Sequence, residues 1–214
     1  NKLTISQRSI NSYLKLNYIP TPYSIYENVK KLTPGHFLEY NLNQKNFNIQ
    51  KYWTLNQNSE KLSNDEIIFS AEKLLIKTIE QQTVSDVDIG TFLSGGVDSS
   101  LITALAGKIK IKNLKTFTLG SDDYNFDESI KAKNISKHLG FQNLNYTPSK
   151  LEILDTISKL PKIYGEPFGD SSQIPTILLS KFAKNYVKVI LSGDGGDETF
   201  GGYNRYKFFF NIYP

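Results

Sequence analysis

The sequence predicts an α/β fold: a parallel sheet sandwiched by helices, preceded by a short β-rich segment. Three observations carry this prediction. From residue 63 onward, short β-rich runs alternate with segments of helical apolar spacing. Two of the strand candidates run straight into glycine-rich turns, Ser94-Gly95-Gly96 and Ser192-Gly193-Asp194-Gly195-Gly196. The first 57 residues break that rhythm, with Pro20, Pro22 and Pro34 and two aromatic-bearing runs. Alternating strands and helices favour a parallel sheet, because each crossover lays a helix across one of its faces.

Within the N-terminal segment, residues 37–40 and 47–49 read as strands separated by the polar turn 41–46. The segment ends at Lys51-Tyr52-Trp53, and the polar stretch 56–64 reads as a linker. Ser63 is an N-cap candidate followed by Asp65 and Glu66 in the first turn. Ile67, Ile68, Ala71, Leu74, Leu75 and Ile79 continue the helix. Residues 87–93 read as a strand, and 99–109 as a helix with Leu101, Ile102, Leu105 and Ile109 on one face. A strand at 114–119 precedes a helix at 128–139 that Gly140 closes. Then follow a strand at 143–146, a helix at 151–160, a helix at 174–185 with Pro175 in its first turn, and a strand at 187–191.

Composition excludes several classes. No run approaches the ~20 apolar residues of a membrane helix, and no signal segment opens the chain. With no cysteine, disulfide scaffolds, Cys-based zinc sites, iron–sulfur clusters and cysteine nucleophiles are out. The charge balance of 25 basic against 21 acidic residues is scattered, so no basic stripe for nucleic acid appears. The chain has no Met, begins at Asn1 and ends in an apolar run, so it is expected to be a piece of a longer protein.

The chemistry concentrates in two strings. In Leu93-Ser94-Gly95-Gly96-Val97-Asp98-Ser99-Ser100 a strand enters a tight Gly-Gly turn and then a helix. Backbone N–H groups there can approach an anion, and the helix N-terminus adds partial positive charge. Ser94 and Ser99 offer hydroxyls; Asp98, being negative, makes sense as a Mg²⁺ ligand beside phosphate. An ordinary capped βα turn competes with this reading for Gly-Gly alone, but not for the full string. It is neither a Walker A loop nor a dinucleotide fingerprint. The second string, 191–203, packs five glycines and three carboxylates behind another strand, where open α/β sheets bind ligands. Asp197 can join Asp98 as a Mg²⁺ ligand from that facing loop.

The first string resembles the pyrophosphate loop of the ATP pyrophosphatase (PP-loop) superfamily. Together with Ser192-Gly193-Asp194-Gly195-Gly196-Asp197-Glu198-Thr199-Phe200-Gly201-Gly202-Tyr203, the chain resembles the synthetase domain of the glutamine-hydrolysing asparagine synthetase family. Glu166-Pro167-Phe168-Gly169-Asp170-Ser171-Ser172-Gln173-Ile174-Pro175-Thr176 fits the same family. So do Tyr18-Ile19-Pro20-Thr21-Pro22, Ser24-Ile25-Tyr26, Leu32-Thr33-Pro34-Gly35-His36 and Tyr52-Trp53, which resemble the tail of its glutaminase domain.

The resemblance implies an adenine nucleotide alpha hydrolase-like sheet at 58–214, preceded at 1–57 by the end of an N-terminal nucleophile glutaminase domain. It implies a cytoplasmic ligase of asparagine biosynthesis that uses ATP and Mg²⁺. Aspartate's side-chain carboxylate attacks the α-phosphorus to give β-aspartyl-AMP and pyrophosphate; ammonia from glutamine then displaces AMP. Ser94, Gly95, Gly96, Asp98 and Ser99 would hold pyrophosphate and metal, with Asp197 as the second metal-linked acid. Leu93, Leu119, Ser192 and Gly193 match adenosine contacts. Asp194 matches an acid of the aspartyl-AMP step, a methylene shorter than the Glu of bacterial relatives. Ser171, Ser172 and Gln173 are set to face the acceptor carboxylate, with helix capping the competing account. His36 reads as structural in a Pro-Gly turn, His138 as a surface helix residue and Trp53 as a packing residue at the domain junction. Small molecules are the expected partners, not nucleic acid or membrane, and a homodimer is allowed. The family's nucleophilic Cys and a later catalytic Lys are absent, so this chain is expected to bind Mg·ATP, turn over poorly and hydrolyse no glutamine. Alternatives are β-lactam synthetase or another amidotransferase with a different carboxylate or sugar acceptor, and a non-catalytic nucleotide-binding fragment. GMP and NAD synthetases share the first loop but not the second, and thiouridine-forming tRNA enzymes would bring Cys and a basic face.

Overall fold

The computed structural model describes residues 3–56, 61–123 and 127–212, without the side chains of residues 207, 210 and 211. The expected linker lies partly outside them. The chain forms two compact units: Asn1–Lys61 with Asp155–Gln173, and Leu62–Leu154 with Ile174–Pro214.

The first unit opens with α1 (Gln7–Leu16), a helix absent from the sequence reading. Ser6 caps it by accepting from Ser9 N–H at 3.3 Å, and Asn17 ends it in the left-handed region at φ 64°. The buried Ser9 hydroxyl donates to the Ser24 carbonyl at 2.6 Å, tying helix to loop. The two expected N-terminal strands form an antiparallel hairpin, β1 (His36–Asn41) and β2 (Asn46–Lys51). Its turn is closed by Asn41 Oδ1, which accepts from the N–H groups of Asn43 and Gln44 at 3.0 Å each. His36 Nδ1 lies 2.9 Å from the Pro34 carbonyl, a local turn contact as the sequence suggested. Trp53 departs from the expected packing role: it is 58% exposed. The later segment of this unit is tied to the N-terminal loops by Glu166, which pairs with Lys31 and accepts from Ile25 N–H at 3.2 Å. Gly169 N–H adds a bond to the Asn17 carbonyl at 2.6 Å.

The second unit begins with α2 (Asn64–Gln82). Ser63 and Glu66 form a reciprocal capping box, which fixes the start read from the sequence. Then come β3 (Ile89–Phe92), α3 (Val97–Lys108), β4 (Lys115–Leu119), α4 (Ser129–Leu139) and β5 (Gln142–Tyr146). Gly140 closes α4 at φ 77°, as expected. Next is α5 (Lys150–Ile163), which runs past Pro161 and passes from the second unit into the first at residue 155. After α6 (Gln173–Ala183) and β6 (Val189–Leu191), two further helices follow: α7 (Gly196–Phe200) and α8 (Asn204–Ile212). Neither helix is among the elements the sequence predicts.

The sheet order is β5-β4-β3-β6, all parallel. Strand alternation sorts the core to its two faces. Ile89 and Leu191 join Ile79 of α2 and Leu105 and Ala106 of α3 in one cluster. Phe117 joins Leu179 and Ala183 of α6 in the other, with Phe92 and Ile190 against it. This is the predicted sandwich. No described helix is long and apolar enough to cross a membrane.

At the end of β5, the Tyr146 phenol donates to Glu152 at 2.5 Å, while Glu152 also accepts from Ser149 N–H and hydroxyl. Chiefly through the Tyr146 bond, Glu152 falls to about 2 and Tyr146 rises to about 12. The contribution of Glu152 to stability is therefore present above its ordinary 4.5 and lost as pH falls through about 2. That of Tyr146 is present below 10 and lost as pH rises through about 12. In Tyr146→Phe, a carboxyl NMR titration should find the Glu152 midpoint moved up toward 4.5; an unmoved midpoint would show that the phenol is not the cause.

Candidate functional site

The first loop leaves the sheet at the end of β3. Gly95 turns the chain at φ +81°, and a Cβ there would sit 2.8 Å from the Lys131 Cβ. Gly96 is the N-cap of α3 and supplies no side-chain cap, so the first turn keeps the partial positive charge of its N–H groups uncapped by a side chain. Local bonds hold the loop: Gly96 N–H donates to Ser94 Oγ at 3.3 Å, and Ser94 N–H to Ser99 Oγ at 3.2 Å. The Ser94 and Ser99 hydroxyls are 3.0 Å apart.

The second loop leaves the sheet at the end of β6. Ser192 donates to Asp194 Oδ2 at 2.9 Å, so one predicted site residue holds another. Gly195, at φ 88°, starts α7, which places Asp197 in a helical first turn rather than in the loop expected for it. Beyond α7, the Tyr203 phenol donates to Glu198 at 2.5 Å. That bond lowers Glu198 and raises Tyr203 to about 12, and Arg205 lies 4.2 Å over the Tyr203 ring.

The two loops abut. A Cβ on Gly193 would stand 2.8 Å from Ser99 N, and one on Gly196 2.6 Å from Asp98 Cγ. Neither position has room for a side chain. Under the Mg·ATP expectation, Gly196→Ala should push the Asp98 carboxylate aside and weaken that binding by about tenfold or more, because sites tolerate displacements of only ~0.5 Å. Calorimetry checks this, and parental affinity would show that the Asp98 position is not critical.

These loops line one cavity of about 810 Å³. Leu93, Ser94, Gly96, Asp98, Ser99, Leu119, Ser192, Gly193, Asp194 and Asp197 all line it; Gly95 does not. Ser171, Ser172 and Gln173 belong to the first unit and are not among its lining residues. Ser172 N–H and hydroxyl both donate to Asp170, and Gln173 Nε2 donates to the Phe168 carbonyl at 2.8 Å, which is local capping. Sequence reasoning missed Asp122, Asp123, Glu128 and Lys150 in the lining. Their signal was position: Asp122 and Asp123 follow the C-terminal end of β4, the same end of the sheet as both loops.

The lining charge bears directly on a metal. Asp98, Asp122, Asp123, Glu128, Asp194 and Asp197 face the cavity with Lys150 as the single described basic side chain. Such a lining repels a bare polyphosphate and accepts one carrying a divalent cation. Among the described residues, no group of three or more His, Cys, Asp or Glu converges as a metal cage. A hard cation there would need phosphate oxygens and water beside Asp98 and Asp197. Mg²⁺ fits that donor set, since it keeps waters and shares substrate phosphates.

The asparagine synthase family model matches residues 70–211, more than half of the chain and both loops. The chain belongs to the asparagine synthase family. A Methanocaldococcus jannaschii protein carrying the glutamine-hydrolysing asparagine synthetase name is 36% identical over 203 residues, 94% of this chain and 39% of that protein. Asparagine synthetase 1 of Bacillus subtilis is 30% identical over 208 residues, 97% of this chain and 32% of its own length. This member of the family therefore spans well under half the length of those relatives. A Penicillium rubens relative, 26% identical over 86% of this chain and 30% of its own length, is named an amidase.

Proposed function

We propose that the second unit is the ATP site of an asparagine-forming ligase. In the whole protein it would adenylate the aspartate side chain. A carboxylate oxygen attacks the α-phosphorus of ATP and pyrophosphate leaves; ammonia then attacks the acyl carbon, AMP leaves and a proton is lost. The observation that supports this best is the abutment of two glycine-rich loops, with Gly196 against Asp98 and Asp98 itself lining one acid-rich cavity. Ser94, Gly95, Gly96, Ser99 and the α3 N-terminus would hold the phosphates. Leu93, Leu119, Ser192 and Gly193 would form the adenosine wall. Asp98 and Asp197 would hold Mg²⁺, whose contribution is neutralising the polyphosphate charge. Asp194, fixed by Ser192, would serve the aspartyl-AMP step. On this reading, residues 1–57 are the end of a glutaminase domain, 58–214 the ATP-binding domain, and the protein is cytoplasmic.

The test is aspartate-dependent ATP–pyrophosphate exchange by the full-length parent protein. Exchange that requires both aspartate and Mg²⁺ supports the proposal. Binding of Mg·ATP without aspartate-dependent exchange would favour a second reading, a different carboxylate acceptor, for which the differently named Penicillium relative gives reason.

A further inference from the structure

The first loop depends on how its starting point is held. Leu93, one residue past β3, donates its N–H to the Phe117 carbonyl at 2.9 Å. The chain then leaves the sheet, and the Leu93 carbonyl is taken by a side chain instead. Thr118, 1% exposed on β4, donates its hydroxyl to that carbonyl at 2.8 Å. A hydroxyl has one proton to give. Asn143 of β5 settles where it goes, because its Nδ2 donates to Thr118 Oγ1 at 2.8 Å and occupies the acceptor side. The second Asn143 N–H is engaged too, at 2.9 Å from Thr116 Oγ1. A directed chain of bonds thus crosses three neighbouring strands and ends at the base of the loop. The far end of the loop has a similar anchor. The Thr103 hydroxyl, fully buried, lies 2.8 Å from the Ser99 carbonyl and 3.0 Å from Thr91 Oγ1.

We propose that Thr118, oriented by Asn143, is a positioning residue that sets the nucleotide loop from beneath. This rests on the Mg·ATP reading of the cavity. Thr118 does not line the cavity, though Leu93 and Leu119 do. Its effect would pass through the Leu93 carbonyl, which would lose its buried partner if the hydroxyl were removed.

The experiment compares the parent chain with Thr118→Val and Thr118→Ser. Amide hydrogen exchange is followed over residues 93–99 and over α2, and Mg·ATP affinity is measured by calorimetry. Thr118→Val should exchange about tenfold faster in the loop, leave α2 unchanged, and bind Mg·ATP about tenfold more weakly. Thr118→Ser should restore both. Loop exchange and affinity equal to the parent in Thr118→Val overturn the proposal, and so does faster exchange spread evenly over loop and α2. Loop exchange that responds and is rescued, with no Mg·ATP binding by the parent itself, keeps the positioning role and overturns the nucleotide reading. Should Thr118→Val not fold, Asn143→Ala applies the same test, since it leaves the Thr118 hydroxyl undirected; unchanged loop exchange there overturns the proposal.

Discussion

Asp98→Asn is expected to weaken Mg·ATP binding by roughly 100-fold, the upper range for perturbing groups around a metal. Asp98 sits in the first turn of α3, with the backbone of Gly193 and Gly196 pressed against it. Asparagine keeps the shape and removes the charge a hard cation needs. The same change removes one of the six carboxylates that the described residues place on the cavity wall, so metal-free ATP should bind no worse and even slightly better. That opposite response separates loss of a metal ligand from general damage. Calorimetry with Mg²⁺ and with a chelator reads both arms. Equal weakening in each would mean that Asp98 supports the loop and does not hold the metal.

Phe117→Ala is expected to have the largest effect on stability, about 3–5 kcal/mol, the range for deleting a buried aromatic. Phe117 is 0% exposed in the middle of β4. Its ring packs 6.3 Å from Phe182 and 5.9 Å from Tyr186, and fills the space that Gly90 leaves on β3, where a Cβ would stand 2.5 Å from Phe117 Cε2. Urea denaturation of the full chain gives the value. A loss under about 1.5 kcal/mol would show that the cluster closes over the cavity more readily than a packed core should.

Much of the second unit was legible because its signals are local. The Ser63–Glu66 capping box, Gly140 closing α4 and Pro175 at the start of α6 each act within one turn of chain. The missed helices have local reasons as well. Residues 7–16 carry no predicted element: in α1 Ser9 is buried while Leu14 and Leu16 are exposed, so no buried apolar stripe marks the helix. Glycines bound α7 at both ends, and its five residues are too few for helical periodicity to show. In α8, Phe208 and Phe209 are exposed, so these two residues mark no buried face.

The sequence by itself determined the alternation of strands and helices, both glycine-rich strings, and through them the family. These depend on residue type at short spacing, which the chain carries whatever its fold. Tertiary structure alone decided that Gly196 lies against Asp98 and that Asp122, Asp123 and Glu128 line the same cavity as Asp98. It also decided that Thr118 and Asn143 reach the base of the loop. These contacts join residues far apart in the chain, and the order β5-β4-β3-β6 brings their strand ends together. Strand order follows from burying both faces of the sheet at once, a property of the whole unit that no short window of sequence contains.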